Sequence, residues 1–306
     1  MIVICGPTSS GKTSLAIKIA KEFGFEIVSA DSRQIYKYMD IGTGKVPVDN
    51  KNDGVKMSDG YGMINNIKIW NYDLINPGEY FSVVDFKTIT TNLYNDISQR
   101  KILVGGTGLY IDSIINQNFA PTGKPDLSLR DELRLKSVEE LKSMIPYDSL
   151  NELNESDINN PTRLVRVIEK CNQNKLSSPI KKMPNYIKNL LVIYLSSNNN
   201  YLYSRVDMWV DEIFIDLEKE VKFLIGKGFQ ETPQMKSLIY KTMLSLDKGL
   251  ISDSEAKQRI KYDLHSYIRR QKTWFNRYKF AELYDISEKD FDTKVLYKVS
   301  LSKYAW

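Results

Sequence analysis

Residues Gly6-Pro7-Thr8-Ser9-Ser10-Gly11-Lys12-Thr13 match the pattern G-x4-G-K-[ST]. In such a loop, glycines let successive backbone N–H groups turn inward, and the helix that follows adds partial positive charge at its N-terminus. Lys12 has the reach to neutralise an outer phosphate, and Thr13 has the hydroxyl to ligate Mg2+. The context fits: Ile2–Cys5 is an apolar strand, and Lys12–Phe23 carries helical periodicity. The chemistry is phosphate binding. The loop alone leaves open whether its guest is a mono-, di- or triphosphate.

Asp31 follows the strand Ile27–Ser29 in the stretch "EIVSADSRQIYKYMDIGTGK". In parallel α/β folds, ligands bind outside the carboxyl ends of strands, which places Asp31 beside the phosphate loop. It could take a proton as general base, hold Mg2+ through water, or simply close an Asx-turn. "VGGTGLY", Val104 to Tyr110, is a second glycine-bearing turn between strand and helix, a plausible second wall with Thr107 as a donor. Near the other end, Arg259–Lys279 holds seven Lys/Arg against one Asp. Ile260, Leu264, Ile268 and Phe275 recur at helical spacing and should face the core. Arg269, Arg270, Lys272 and Arg277, interleaved with aromatics, form either a solvated face or a surface for phosphates and bases.

These residues need a scaffold. Further short apolar runs lie at Ile67–Tyr72, Ile102–Val104 and Leu190–Leu195, and further helical patterns at Val83–Ser98 and Leu109–Ile115. The alternation predicts an α/β fold with a parallel sheet, its central strands buried on both faces. From Asn116 to about Ile187 the texture becomes loop-like and then helical, which predicts a helical insertion spanning 116–187 within a core of 1–115 and 188–306. Three more helices follow, over Tyr201–Ile225, Met235–Asp247 and Ser254–Lys279. Val46–Asn66 is rich in Asn, Asp and Gly and predicts a loop or hairpin.

Composition sets the outer limits. The 306 residues are 42% hydrophobic and 26% charged, with a net charge of +5, which excludes a disordered chain. The two cysteines, Cys5 and Cys171, and the lone His265 give neither a disulfide framework nor zinc-ligand spacing. No apolar run reaches membrane-spanning length, and no leader pattern precedes the first strand, so the expectation is a cytoplasmic protein.

Taken together, "GPTSSGKTSLA", "SADSRQIYKYMDIGTGK", "LVGGTGLYI", "NPTRLVRVIE", "LYSRVD" and "RRQKTWF" resemble the tRNA dimethylallyltransferase family, in the family's order and over most of the chain. The resemblance implies a P-loop NTPase-like core with an insertion that grips the anticodon stem-loop. It implies transfer of a dimethylallyl group from dimethylallyl diphosphate to N6 of adenosine 37 in tRNA, so that the trapped phosphate is a diphosphate. Lys12, the loop amides, Mg2+ at Thr13 and Arg205 would then stabilise the leaving diphosphate, and Asp31 would be the general base. Ser32, Arg33 and Gln34 would read the adenine and its neighbours, with Thr107 at the site wall. Asn160, Pro161, Thr162 and Arg163 in the insertion would contact tRNA, as would Arg269, Arg270, Gln271, Lys272, Thr273, Trp274, Phe275 and Asn276. A monomer suffices for this reading.

The chain departs from the family pattern at Trp209 and His265, where arginines are usual, at Ile239, where glycine is usual, and in a shorter insertion. The alternatives are an adenine-nucleotide isopentenyltransferase, which needs neither the insertion nor the basic helix, and a small-molecule P-loop kinase, which needs an arginine-bearing lid.

Overall fold

The computed structural model describes residues 1–47, 55–116, 126–172 and 189–303. Among them, eight strands build one sheet: β1 (Ile2–Cys5), β2 (Phe25–Ser29), β3 (Lys56–Ser58), β4 (Gly60–Ile64), β5 (Ile67–Tyr72), β6 (Arg100–Gly105), β7 (Leu191–Ser196) and β8 (Glu282–Asp285). Their order is β3-β4-β5-β2-β6-β1-β7-β8. β3–β4 and β4–β5 pair antiparallel, and every other pair is parallel. β1 and β7 are buried along their whole length, as strands covered on both faces must be.

The order of the strands assembles the site. β1 lies between β6 and β7, with Ile4 beside Val104 and Ile193. β2 lies on the other side of β6, with Ser29 beside Val104. The carboxyl ends of β2, β6 and β1 are therefore neighbours. The turns that leave them carry Asp31, the Gly105-Gly106-Thr107-Gly108 run and the phosphate loop, which is why three distant stretches of sequence converge.

Helices cover the sheet. α1 (Lys12–Phe23) ends at Gly24, whose φ of 71° lets its N–H cap the Ala20 carbonyl. α2 (Val83–Asn95) opens on a capping box between Ser82 and Asp85, and α3 is Gly108–Ile115. Alternate residues of each strand divide between two apolar clusters. Ile2, Ile4, Ile102 and Ile193 join one, with Leu15 and Ile19 of α1. Val3, Cys5, Leu103 and Val192 join the other, with Phe86 and Ile111.

The chain divides into two compact units, Met1–Ile115 with Met183–Trp306, and Asn116–Lys182. The second contains α4 (Leu127–Leu133), α5 (Val138–Ser143), α6 (Tyr147–Asn151), α7 (Glu155–Ile158) and α8 (Pro161–Asn172). Leu133, Leu141, Ile145, Leu164, Val165 and Ile168 form its own small core. Buried Glu169 is held there by Arg130 at 2.7 and 2.8 Å and by Arg166 at 3.2 Å. The loop-like stretch after Asn116 and the expected end of the insertion near residue 187 lie outside the described residues, as do residues 48–54 of the expected loop or hairpin.

The first unit continues with α9 (Asn199–Gly226), α10 (Leu238–Asp247), α11 (Asp253–Phe275) and α12 (Phe291–Lys303). β8 and α12 are elements the sequence reading did not anticipate. β8 is a four-residue edge strand, too short to show a period. Within the insertion, Arg130–Ile145 does not form one helix: Ser137 starts α5 with a capping box to Glu140. No helix among the described residues is long and apolar enough to cross a membrane.

Phe275 corrects one expectation. Its side chain is fully buried in the cluster around β1, against Tyr194 and Tyr278. It therefore belongs to the core, as its helical spacing indicates, and not to an RNA-facing surface. Phe275→Ala should cost about 3–5 kcal/mol of stability, read from urea unfolding. An unchanged midpoint would contradict this placement.

Candidate active site

A cavity of about 450 Å3 opens where the three turns meet. The phosphate loop forms its floor. Gly6 approaches β7 so closely that a Cβ there would stand 2.2 Å from the Leu195 carbonyl oxygen. Gly11 holds a φ of 76° at the N-cap of α1, with no side chain capping the helix, so the first amides of α1 are available to an anion. Ser10 Oγ donates to the Pro7 carbonyl at 2.8 Å and closes the turn. Lys12 Nζ donates to the same carbonyl at 2.5 Å and stands 3.5 Å from Ser10 Oγ. Burial lowers the Lys12 pKa to about 8, against the opposing pull of Asp31.

Asp31 lines the same cavity. Its Oδ1 accepts the Arg33 N–H at 2.9 Å, an Asx-turn that fixes the carboxylate. Burial raises its pKa above the usual carboxylate value, while the amide bond and the charges of Lys12 and Arg33 pull the other way. A carboxylate with a raised pKa is a stronger base.

The cavity rim adds a guanidinium. Arg205 projects from α9, and its Nε donates to the Ser9 carbonyl at 2.8 Å. Its Nη2 lies 4.0 Å from where a Gly11 Cβ would be. The remaining wall is largely apolar: Met208 and Trp209 from α9, Leu238 and Ile239 from α10, and Leu264 from α11. Two of the departures from the family pattern, Trp209 and Ile239, thus lie in the cavity itself. His265 does not: its Nε2 is 2.8 Å from Asp207 Oδ1, and its ring stacks on Tyr203 at 4.0 Å.

Several expected tRNA-reading residues have structural partners instead. Gln271 is buried. Its Oε1 accepts the Thr8 N–H at 2.8 Å, and its Nε2 donates to the Gly106 carbonyl at 2.9 Å, so one side chain joins the two glycine turns. Gln34 accepts from Ser29 Oγ at 2.7 Å and donates toward the Thr43 and Gly44 carbonyls at 3.3 and 3.2 Å. Both its amide ends are engaged by protein, so it orders the turn, and its side chain also lines the cavity. Thr107 Oγ1 accepts the Ser32 N–H at 3.0 Å and donates to Ser32 Oγ at 3.3 Å. Neither Thr107 nor Ser32 lines the cavity; together they lock the turn after β2 to the turn after β6.

On α11, Arg269, Arg270 and Thr273 are exposed, as is Asn276 at its C-cap. Arg269 donates to Tyr203 Oη at 2.9 Å, and Arg270 lies over the Tyr267 ring at 5.6 Å. Lys272 is turned inward, donating to the Ser197 carbonyl and Asn199 Oδ1 at 2.7 and 2.8 Å. Trp274 is partly buried beneath Arg277, whose guanidinium is 4.1 Å from its ring centroid. In the insertion, Pro161, Thr162 and Arg163 are exposed at the start of α8, with Asn160 Oδ1 accepting the Arg163 N–H at 3.2 Å and Arg163 paired with Asp157.

Sequence reasoning missed Tyr267 and Tyr240, which line the cavity. Tyr267 sits near Asp31 and Arg33 and hydrogen-bonds Thr107, and burial raises its pKa, so it remains a neutral phenol. Its helical spacing from Leu264 and Gln271 was the available signal.

The residues present suit Mg2+ at Thr13. Among the described residues no group of three or more His, Cys, Asp or Glu side chains could cage a metal. A lone threonine hydroxyl with the Asp31 and Glu212 carboxylates in the same cavity leaves most positions to phosphate oxygens and water, which is how Mg2+ is usually held.

Comparison with known proteins agrees with this geometry. A family described as IPP transferase matches residues 34–278, and one described as isopentenyl transferase matches residues 1–57. A tRNA dimethylallyltransferase of Clostridioides difficile is 35% identical over 94% of this chain and 92% of that protein. One from Staphylococcus haemolyticus is 37% identical over 90% of this chain and 83% of that protein. The crystal structure of a tRNA delta(2)-isopentenylpyrophosphate transferase from Staphylococcus epidermidis superposes with a TM-score of 0.67 at 28% identity, covering 99% of this chain and 98% of that one. A eukaryotic dimethylallyltransferase acting on tRNA shares the fold, with a TM-score of 0.71 at 20% identity. With its phosphate loop, its partly buried carboxylate and matches that run nearly end to end, this chain belongs to the tRNA dimethylallyltransferase family.

Proposed function

We propose that this chain transfers the dimethylallyl group of dimethylallyl diphosphate to N6 of adenosine 37 in tRNA. The observation that carries the reading is one cavity that joins a phosphate loop, a partly buried carboxylate and an apolar wall. A phosphate loop alone would suit ATP. An apolar wall beside it suits a donor whose other end is a hydrocarbon, because the tail gains by leaving water.

The chemistry follows from the residues. The diphosphate lies on the amides of Ser10–Thr13, with Lys12 inside and Arg205 at the rim. The C1–O bond breaks, the electron pair leaves with the diphosphate, and these cations stabilise the charge that develops. Mg2+ held at Thr13 would add Lewis-acid stabilisation to the same leaving group. Met208, Trp209 and Ile239 enclose the five-carbon tail and keep water from the allylic carbon. N6 attacks C1, and its proton passes to Asp31, whose raised pKa suits that role. The adenine must leave its stack to reach Asp31, a cost that base-modifying enzymes commonly meet.

Support for tRNA as acceptor comes from the names of the relatives and from the exposed cationic face of α11. Arg269 and Arg270 there suit phosphates of the anticodon stem-loop, as Arg163 does in the insertion. A free adenine nucleotide would leave both surfaces without a partner. The cavity is built within one chain, so a monomer is sufficient, and the acceptor sets the reaction in the cytoplasm.

Asp31→Asn tests the assignment of the base. It should lower kcat by about 10²- to 10⁴-fold, with tRNA affinity held within about 3-fold. Equal losses in kcat and in tRNA affinity would contradict it. The Lys12 environment gives a second test. An anion favours the charged ammonium, so affinity for inorganic diphosphate should be full below about pH 8 and fall as pH rises through that value. In Lys12→Met, binding should weaken and that step should vanish. A wild-type pH profile that matches the variant's would contradict the role of Lys12.

A further inference from the structure

Glu220, on α9, is a partly buried carboxylate that the transfer chemistry does not use. Its Oε2 accepts the N–H groups of Asp40 and Ile41, both at 2.6 Å. Its Oε1 accepts the Gly42 N–H at 3.1 Å and the Tyr240 hydroxyl at 2.7 Å. One carboxylate therefore receives three consecutive amides and a phenol. A group with four incoming donors must be an acceptor at both oxygens, which the ionised form provides and a neutral amide does not.

The segment it grips is part of the cavity. Gly42, Thr43 and Gly44 line the same space as Lys12 and Asp31. Tyr240 packs so tightly on Gly42 that a Cβ there would stand 2.6 Å from the phenol oxygen. From the other side, Gln34 reaches the Thr43 and Gly44 carbonyls, three residues after Asp31. Fully buried Lys45 anchors the end of the segment through the Tyr36 carbonyl and Asp40, each at 2.6 Å, and through Asp73. The wall is thus tied at one end to the turn that carries the proposed base, and in its middle to Glu220.

We propose that Glu220 is a positioning residue for transfer: by holding the Asp40–Gly42 amides it sets the Gly42–Gly44 wall, and with it the seat of the acceptor base relative to Asp31. This rests on the reading of the cavity as the site of transfer. The donor's diphosphate sits on a different element, the phosphate loop, and the wall borders the tail enclosure at Trp209, 3.8 Å from a Cβ built on Gly44, so donor affinity should change less than the rate. A small displacement of an acceptor from its attack geometry lowers the rate without loss of binding.

The test compares wild type, Glu220→Gln and Tyr240→Phe with labelled dimethylallyl diphosphate and tRNA, recording kcat, donor Kd and the melting temperature. Glu220→Gln should lower kcat by about 10- to 100-fold and leave donor Kd within about 2-fold. Tyr240→Phe keeps the ring against Gly42 and loses one of the four donors, so it should lower kcat in the same direction by a smaller factor. An unchanged kcat in both variants would overturn the proposal. So would a parallel fall of kcat, donor affinity and melting temperature, which marks a purely structural role. If wild type itself transfers no label, the reading of the cavity fails, and the proposal with it; an active wild type with unaffected variants removes the proposal alone.

Discussion

A lysine ammonium held inside a closed loop, with a carbonyl and a hydroxyl within reach, is the constraint around which the site is arranged. Lys12 has lost much of its hydration, and burial has moved its pKa down to about 8. Taking a cation out of water is costly unless an anion returns the stabilisation. The loop amides and Arg205 add positive potential at the same place. The loop therefore suits a polyanion, and binding one relieves the cost of burying the cation.

That fit requires the loop to hold a fixed shape. Gly6 and Ser10 close the turn locally, and Gln271 holds it from a helix 263 positions away, joining Thr8 to the glycine turn after β6. Thr107 and Ser32 make the next link, from that turn to the one that carries Asp31. The three walls are thus fastened to one another by neutral side chains whose hydrogen-bonding groups face protein. Charged groups are left for the cavity and for the outer face of α11. Such a division suits a site that must keep its shape while charge moves through it.

Much of this was legible in the sequence. The bounds of β1 and α1 follow directly from an apolar run, a glycine-rich turn and a helical period, because strong local signals and tertiary packing agree there. The parallel sheet follows from alternating strand and helix patterns. What was not legible is long-range. Gln271, Gln34 and Phe275 sit among residues typical of RNA contacts, and only the structure shows that Phe275 is core while the two glutamines tie the turns of the cavity together. Glu220 lies in a helix rich in ordinary surface charges, with Glu218 and Lys222 paired on its outer side. Nothing in local spacing separates it from them. β8 and α12 escaped because a four-residue edge strand carries no period and the apolar residues of α12 do not form a single stripe.

The central claim is that the phosphate loop holds a prenyl diphosphate for transfer to a tRNA base. The most direct test incubates the purified protein and Mg2+ with radiolabelled dimethylallyl diphosphate and unmodified tRNA, beside a tRNA changed at position 37 and free AMP. The account predicts label in the unmodified tRNA, none in the position-37 variant, and none in AMP. Label in AMP alone, or in no acceptor while ATP binds the loop, would contradict it.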